Sequence, residues 1–389
     1  MTVRSGLDAL TAQLVHGKRL GLVTNQTGVD CNLRRSAEVI TTLGGKVAAI
    51  FGPEHGYYGV EQDALPVEGQ EIDRFSGAPV YSLYRQHDYE LGNATNPFAP
   101  PAGSLEELDA LVFDIQDVGT RYYTYPTTLG ILMEQVALPL LVIDRPNPLG
   151  GEIIEGPLLE EQFSSFVGRY PLSVRHGLTI GEWALLVNTL FLKGKAQLEL
   201  VRMEGWERGM LFAQTGLPWV MPSPNLPTPD TALLYPGTCL LEGTNVSTGR
   251  GTTRPFEIFG APWVDPLLLA RELTSRNLAG LHFRETYFKP TFDRFAGQVC
   301  GGVQVHLTEN SNILQIVRAG LEIIAALLRL YPNVFEWQPA HFDRLIGSEN
   351  PRLVLSNSAG DFSALRLLFQ EWEEQEQSFI ALRRNFLVY

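Results

Sequence analysis

Short, uninterrupted apolar runs alternate with helical patterns through the first half of the chain. The runs are rich in valine, isoleucine and leucine, which is typical of strands covered on both faces; they span residues 19–24, 47–51, 110–114 and 140–144. Helical patterns at residues 34–43 and 127–137 lie between them. Since strands that alternate with helices form βαβ units, the pattern predicts an α/β fold with a Rossmann-like, mostly parallel sheet.

A polar segment rich in glycine or proline follows each of these four runs. The segments are NQTG, GPEHGYYG, IQDVGTRYYTYP and RPNPLGG. Open α/β sheets bind ligands in a crevice beyond the carboxyl ends of their strands, so side chains from these segments are expected to converge there. The polar residues predicted to meet at this edge are Asn25, Glu54, Asp114, Asp117, Asp144 and Arg145.

The chain after the fourth run first completes the sheet layer and then predicts a smaller α+β domain that completes the cleft. A helix at 180–191 and a strand at 198–203 extend the first layer, and prolines recur through 217–230, where regular structure is not expected. Residues 239–247 are predicted to form a strand that leads into a Gly/Arg loop. A further strand at 302–307 and helices at 314–330 and 363–375 follow. We predict a catalytic domain at 1–232 and an auxiliary domain at 233–389.

The charge balance and the cysteines exclude several classes of protein. The chain has 30 Lys and Arg residues against 43 Asp and Glu residues, a net charge of −13, and it has no basic run that suits a nucleic-acid backbone. Its three cysteines form no CxxC pair, which argues against a zinc cluster or a disulfide framework. No stretch reaches the ~20 apolar residues of a membrane span, and the N-terminus lacks the apolar core of a signal peptide. We expect no nucleic-acid partner, no membrane insertion and a cytoplasmic location, with secretion as the alternative if a leader has been removed.

Glu54 in FGPEHGYYG is the leading candidate for a general acid. A carboxyl group that aromatic rings partly shield loses solvation, which raises its pKa and suits it to proton donation near neutral pH. The alternative is a glutamate that caps a helix or pairs with a surface arginine. Asp114 and Asp117 lie three residues apart at the end of the third run. We expect one of them to face the crevice while the other fixes a loop or pairs with Arg121.

Other polar residues in these segments are candidates for binding a sugar. Tyr122, Tyr123 and Tyr125 offer rings for stacking and hydroxyl groups for hydrogen bonds, although at least one ring is expected in the core. Asp144 and Arg145 are adjacent opposite charges, and such neighbours more often form a structural pair that orients a loop.

Arg250 and Arg254, in TGRGTTRPFE, present guanidinium groups suited to bidentate binding of a carboxylate or phosphate, with ordinary solvated charge as the alternative. His55 and His176 are the histidines nearest to these motifs, and neither HExxH nor clustered Cys/His ligands occur in the sequence. The GxGxxG fingerprint, the P-loop and the GxSxG elbow are also missing. We expect no cofactor and no metal.

Together, the motifs resemble the NamZ family of bacterial exo-β-N-acetylmuramidases. The matching segments extend from about residue 25 to residue 263; they are VTNQTGVD, FGPEHGYYG, FDIQDVGTRYYTYPTTL, VIDRPNPLGG, EGPLLE, FVGRYPLSVRHGLTIGE, PSPNLPTPDTALLYPGTCLLEGTNVSTGRGTTRPFE and GAPW. Asn225, Glu242 and Asn245 lie in the longest of these segments, and we count them among the binding candidates together with His55 and His176.

The resemblance implies release of terminal β-1,4-linked N-acetylmuramic acid (MurNAc) from the non-reducing end of peptidoglycan-derived saccharides, such as its disaccharide with N-acetylglucosamine (MurNAc-GlcNAc). It also implies a Rossmann-like catalytic domain packed on a smaller auxiliary domain, with the cleft between them and no cofactor. The glutamate of the family's PEHG motif, its leading catalytic candidate, corresponds to Glu54. Family members are often secreted, so the missing leader favours recycling of imported wall fragments.

The expected reaction is glycoside hydrolysis in which Glu54 protonates the leaving oxygen. Asp114 or Asp117 is the expected partner carboxylate, unless the N-acetyl group of the substrate acts as nucleophile, and the stereochemistry stays open. A non-catalytic muropeptide-binding protein and a metal-assisted hydrolase of an amide or ester in wall material are the alternatives. The candidates for binding the lactyl carboxylate of MurNAc are Arg121, Arg250 and Arg254.

Overall fold

A mostly parallel seven-stranded sheet forms the centre of the N-terminal half. The computed structural model describes residues 2–67, 71–85, 97–309 and 313–389. The strands are β1 (Arg19–Thr24), β2 (Lys46–Gly52), β3 (Glu71–Ile72), β4 (Pro79–Ser82), β5 (Ala110–Asp114), β6 (Leu140–Ile143) and β7 (Leu198–Val201). Their order is β3-β4-β2-β1-β5-β6-β7, and each neighbouring pair is parallel except β3 with β4.

Helices cover both faces of this sheet. They are α1 (Gly6–Ala9), α2 (Ala12–Val15), α3 (Ser36–Thr42), α4 (Thr124–Gln135), α5 (Ile180–Leu190), α6 (Phe212–Thr215) and α7 (Pro229–Thr238). Every residue of β5 and β6 is buried, as expected for strands packed on two sides. Helix α5 begins with a capping box in which Thr179 and Glu182 exchange hydrogen bonds with each other's backbone.

The C-terminal half adds an antiparallel sheet and five helices among its described residues. Its strands are β8 (Ile258–Ala261), β9 (Leu281–Phe288) and β10 (Cys300–Leu307), in the order β8-β10-β9. Its helices are α8 (Pro266–Ser275), α9 (Ile316–Leu330), α10 (Pro339–Ile346), α11 (Asn350–Asn357) and α12 (Phe362–Arg383). Helix α9 packs against α7, α8 and α12. The C-terminal helices therefore pack against α7, the last helix of the N-terminal half.

Two apolar clusters hold the large sheet in place. One cluster joins a face of the sheet, through residues such as Phe113, to α9 residues such as Ile324. The other lies on the opposite face, where Ile40 of α3 packs near Ile50 and Val112. Because the first cluster continues from the sheet into the C-terminal helices, the two halves share a core and present a fixed cleft between them.

The predicted fold class is confirmed: a mostly parallel α/β sheet is joined to a smaller α+β part. The strands at 19–24 and 110–114 have the predicted bounds, and the other runs differ by one or two residues. The strand predicted at 239–247 is wrong, because Cys239–Gly243 forms a 3-10 turn directly after α7. The predicted division near residue 232 falls inside α7 and stays a prediction.

Candidate active site

A cleft lies between the carboxyl edge of the large sheet and the C-terminal half. Strand β1 lies between β2 and β5, so the direction in which successive strands are added to the sheet reverses beside β1. Doubly wound sheets bind ligands at such a reversal of strand order. The predicted residues that line the cleft are Glu54, His55, Tyr122, Tyr123, Asn225, Glu242 and Arg250. The lining residues that sequence reasoning missed include Asp63, Thr124, Ser223, Tyr235, Phe256 and His341.

Glu54 is presented to the cleft by a sharp turn after β2. His55 and Gly56 both have left-handed backbone angles, φ +69° and +81°, which turn the chain directly after Glu54. The Glu54 side chain is buried, and its Oε2 accepts a hydrogen bond of 2.7 Å from the Thr124 hydroxyl group at the start of α4. Its Oε1 accepts a bond of 3.0 Å from the backbone N–H of Ala64. The carboxyl group is therefore fixed in direction before a ligand arrives.

Residues 61–64, which we call the strap, cross the mouth of the cleft. The carbonyl of Glu61 lies 2.8 Å from Nδ1 of His55, and the Gln62 side chain accepts a 2.8 Å bond from Nδ2 of Asn225. Asp63 pairs with Arg250, and the Ala64 N–H holds Glu54. Each of four consecutive residues thus contacts a side chain of the cleft.

Arg250 is the cation of the cleft wall that faces the strap. Its Nε donates to Oε1 of Glu242 at 2.6 Å, its Nη1 donates to Oδ1 of Asp63 at 2.8 Å, and its guanidinium group lies over the Phe256 ring. Burial alone would raise the pKa of Glu242, but Arg250 and the nearby His341 outweigh burial and lower that pKa to about 2. Glu242 therefore stays ionised and fixes the guanidinium group.

Aromatic rings form the inner wall of the cleft. Tyr235 makes edge-to-face contacts with Tyr122, Tyr123 and Phe256 at ring centroid distances of 5.6, 5.9 and 4.9 Å. Burial raises the pKa of Tyr123 above its ordinary range, so its hydroxyl group stays protonated at neutral pH. The wall is rigid and combines apolar faces with hydroxyl groups, which suits binding of a pyranose ring.

The structure corrects the expectation that Asp114 and Arg145 face the cleft. Asp114 is fully buried and forms a bidentate ion pair with Arg145, with Nε to Oδ1 at 2.5 Å and Nη2 to Oδ2 at 2.9 Å. Ser36 at the start of α3 donates a further bond to Oδ2. Since both carboxylate oxygens are used inside the scaffold, Asp114 is placed to hold β5, α3 and the loop after β6 together.

Asp117 and His176 are also buried outside the residues that line the cleft. Oδ2 of Asp117 accepts a 2.8 Å bond from the Gly119 N–H and lies 4.0 Å from Nε2 of His176. Burial raises the pKa of Asp117 to about 7 and, together with Arg383 and Arg121, lowers the pKa of His176 to about 3. Both groups are therefore largely neutral over a range of mildly acidic pH.

Asn25 and Tyr125 support the cleft from behind. Nδ2 of Asn25 donates to the Tyr125 hydroxyl group at 2.9 Å, and that hydroxyl group donates to the Pro222 carbonyl in the proline-rich segment. Asp144 instead anchors the start of α5, because it accepts bonds from the Thr179 hydroxyl group and the Gly181 N–H. None of these three predicted residues lines the cleft.

Arg121, Asn245 and Arg254 lie outside the cleft lining as well. The guanidinium group of Arg121 donates to four backbone carbonyls, two of them in α10, and so joins the two halves. Asn245 bonds the backbone of Val334 and Glu336. Arg254 has a side chain that is 55% exposed and pairs with Glu257 at 2.9 Å. Of the three arginines considered for a substrate carboxylate, Arg250 alone lines the cleft.

The missed residues differ in how much signal the sequence carries for them. Thr124 lies inside TRYYTYP and Asp63 follows FGPEHGYYG by a few positions, so both were within reach of the strand-end argument. His341 comes from α10, a region whose sequence carries none of the motifs named above.

Within the described ranges, no group of three His, Cys, Asp or Glu side chains is arranged to hold a metal ion. None of the helices described has the length and apolarity needed to cross a membrane.

The fold and the cleft define a class of two-part α/β proteins in which carboxyl groups line the cleft between a doubly wound sheet and a smaller α+β part. Family models described as exo-beta-N-acetylmuramidase NamZ, N-terminal and C-terminal, match residues 20–230 and 233–389. The chain belongs to this NamZ family. It is 41% identical to the peptidoglycan beta-N-acetylmuramidase NamZ of Bacillus subtilis (strain 168) over 100% of this chain and 91% of that protein.

Two solved structures of DUF1343 family proteins from Bacteroides fragilis share the fold over 100% of this chain and 99% of theirs. The first has a TM-score of 0.87 with 32% identity, and the second has a TM-score of 0.78 with 27% identity. The likeness covers both halves of the chain.

Proposed function

We propose that this protein is an exo-acting glycosidase that releases terminal β-1,4-linked MurNAc from the non-reducing end of peptidoglycan fragments such as MurNAc-GlcNAc. The observation that carries the proposal is the Glu54 carboxyl group, which Thr124 and Ala64 fix inside the cleft shared by the two halves. The name of the Bacillus subtilis relative, a peptidoglycan beta-N-acetylmuramidase, supports the same substrate class.

Glu54 acts as the general acid in this proposal. As the bond between the anomeric carbon of MurNAc and the glycosidic oxygen breaks, Glu54 gives its proton to that oxygen, so the leaving sugar departs as a neutral alcohol. General acid catalysis of this kind contributes about 10²- to 10⁴-fold in rate. The rings of Tyr122 and Tyr123, which line the cleft beside Glu54, provide the wall against which the sugar packs.

Arg250 binds the lactyl carboxylate that distinguishes MurNAc from GlcNAc. It is held by Glu242, and a guanidinium group fixed in this way can bind a carboxylate through charge-assisted hydrogen bonds. Arg121 and Arg254 lie outside the cleft lining, whereas Arg250 is part of it, so we assign the lactyl contact to Arg250.

The experiment that tests the proposal is product analysis with a defined MurNAc-GlcNAc disaccharide. Glu54→Gln keeps the shape of the side chain but removes the proton that can be donated, so we expect kcat to fall about 10²- to 10⁴-fold. Glu199→Gln, which removes an exposed charge on β7, is the matched control and should keep the wild-type rate.

Three other results would contradict the proposal. Binding without release of either sugar would indicate a non-catalytic muropeptide-binding protein. Loss of activity in EDTA together with cleavage of an amide or ester would indicate a metal-assisted hydrolase. Near-normal turnover by Glu54→Gln would remove Glu54 from the mechanism. The cytoplasmic location stays a prediction, and fractionation of the native cells tests it.

A further inference from the structure

The reaction proposed above needs a group opposite Glu54, and the structure places neither predicted partner in the cleft. Asp114 is bound in the scaffold by Arg145 and Ser36, and Asp117 is buried outside the cleft lining. Three carboxylates line the cleft within the described part of the chain: Glu54, Asp63 and Glu242.

Glu242 is poorly suited to accept a proton from water. Its Oε1 is bonded to Nε of Arg250 at 2.6 Å, and its Oε2 faces Sγ of Cys239 at 3.6 Å and Nε2 of His341 at 3.9 Å. Its pKa of about 2 makes it a weak base, because Arg250 and His341 stabilise the charged form more than burial destabilises it. Only 18% of its side chain is exposed.

Asp63 has the access that Glu242 lacks. Its side chain is 40% exposed at the mouth of the cleft, so water reaches it there. Nη1 of Arg250 binds its Oδ1 at 2.8 Å and sets the direction of the carboxylate. The contacts of the strap on either side, from Gln62 to Asn225 and from Ala64 to Glu54, fix the backbone that carries it.

Covalent geometry limits the distance between the Asp63 and Glu54 carboxyl groups. The Ala64 nitrogen lies 3.0 Å from Oε1 of Glu54 and is joined by the peptide bond to Asp63. The path from that nitrogen through the peptide bond and a fully extended aspartate side chain gives an upper limit of about 9 Å for the distance between the two carboxyl groups. This limit is compatible with the pairs of inverting glycosidases, which lie about 6.5–9.5 Å apart and leave room for a water molecule.

We propose that Asp63 is the second catalytic carboxylate, the base that activates the attacking water; the inference rests on the proposed function of Glu54. The water oxygen bonds to the anomeric carbon of MurNAc while one of its protons passes to the Asp63 carboxylate. The bond from that carbon to the glycosidic oxygen breaks, and the electron pair stays with the oxygen, which takes the proton of Glu54. The first product is therefore α-MurNAc, the inverted anomer.

Asp63→Asn and a proton NMR time course of the wild-type enzyme test this inference together. We expect the wild-type protein to release α-MurNAc first and Asp63→Asn to lose about 10²- to 10⁴-fold in kcat. Glu199→Gln, with the same change of charge far along the sheet, is the control. Initial release of β-MurNAc, or an Asp63→Asn variant with nearly wild-type kcat, overturns the assignment.

Asp63→Ala with added sodium formate separates loss of the base from damage to the strap. A small external carboxylate in the vacated space should restore kcat at least tenfold, whereas a misplaced strap gains nothing from formate. Loss of activity in both variants without rescue therefore overturns the inference. If the wild-type protein releases MurNAc and Glu54→Gln is inactive while Asp63→Asn is active, the proposed function stands and only the role of Asp63 fails. If Glu54→Gln is active, the proposed function fails first.

Discussion

Two sets of acidic residues near the same sheet edge have different surroundings. We call Asp114, Asp117 and Asp144 the sheet-edge carboxylates and Glu54, Asp63 and Glu242 the cleft carboxylates. The sheet-edge carboxylates are at most 6% exposed and bond to helix starts, a loop and a buried arginine. The cleft carboxylates lie where β2, the strap and the C-terminal half meet. A strand end brings a side chain to the edge, but the loop that covers the edge decides what it faces.

The crevice above β1 and β5 shows why the sheet-edge carboxylates are covered. Arg145 and the proline-rich segment with Leu217 and Pro218 fill this space and leave a cavity of about 20 Å³. That is room for about one water molecule. The candidate site lies instead towards the loop after β2, where Glu54 lines the cleft.

The first prediction concerns the ion pair at the centre of the sheet-edge set. Asp114→Ala leaves Arg145 buried without its carboxylate, and breaking a buried pair in this way costs about 3–5 kcal/mol in the free energy of unfolding. Urea denaturation at neutral pH measures this loss. Glu204→Ala breaks an exposed ion pair with Arg4 and should cost less than about 1 kcal/mol. Lost turnover by Asp114→Ala with unchanged stability would instead place Asp114 in the chemistry.

The sequence predicted the sheet well because its strands are continuous apolar runs that the fold buries on both faces. The same reasoning failed at 239–247, since a four-residue stretch such as CLLE has no period that separates a strand from a buried turn. It placed Glu54, at a strand end, and Arg250, in a glycine-rich loop, among the candidates, and both residues line the cleft. It could not separate Arg250 from Arg121, because backbone carbonyls from distant segments bind Arg121 and leave no mark in its local sequence.

The second prediction uses the opposite titrations of Asp117 and His176. The pKa of Asp117 is raised from 3.8 to about 7, so its stabilising contribution is present below pH 4 and is lost as the pH rises to 7. The pKa of His176 is lowered from 6.5 to about 3, so its contribution is present above pH 6.5 and is lost as the pH falls to 3. In wild-type protein the two slopes oppose each other between about pH 4 and 6.5.

Asp117→Asn should expose the slope of His176. The free energy of unfolding should then rise with pH between 4 and 6.5, by at most about 1.4 kcal/mol per pH unit relative to wild type. Denaturant titrations at several pH values measure the slope, and His176→Gln should give the opposite sign. If neither variant changes the pH dependence of the free energy of unfolding, the pKa values of Asp117 and His176 are not shifted in these directions.

The smallest expected effect concerns Arg250 and Arg254, which lie four residues apart in one loop but differ in their surroundings. Arg250→Lys keeps a positive charge beside Glu242 but loses the planar fork, so competitive inhibition by MurNAc should weaken about tenfold while inhibition by GlcNAc changes little. Arg254→Lys is the matched control: its side chain is exposed and pairs with Glu257, and both inhibition constants should stay at the wild-type values. Equal losses for the two sugars in Arg250→Lys would mean that Arg250 shapes the cleft without binding the lactyl carboxylate.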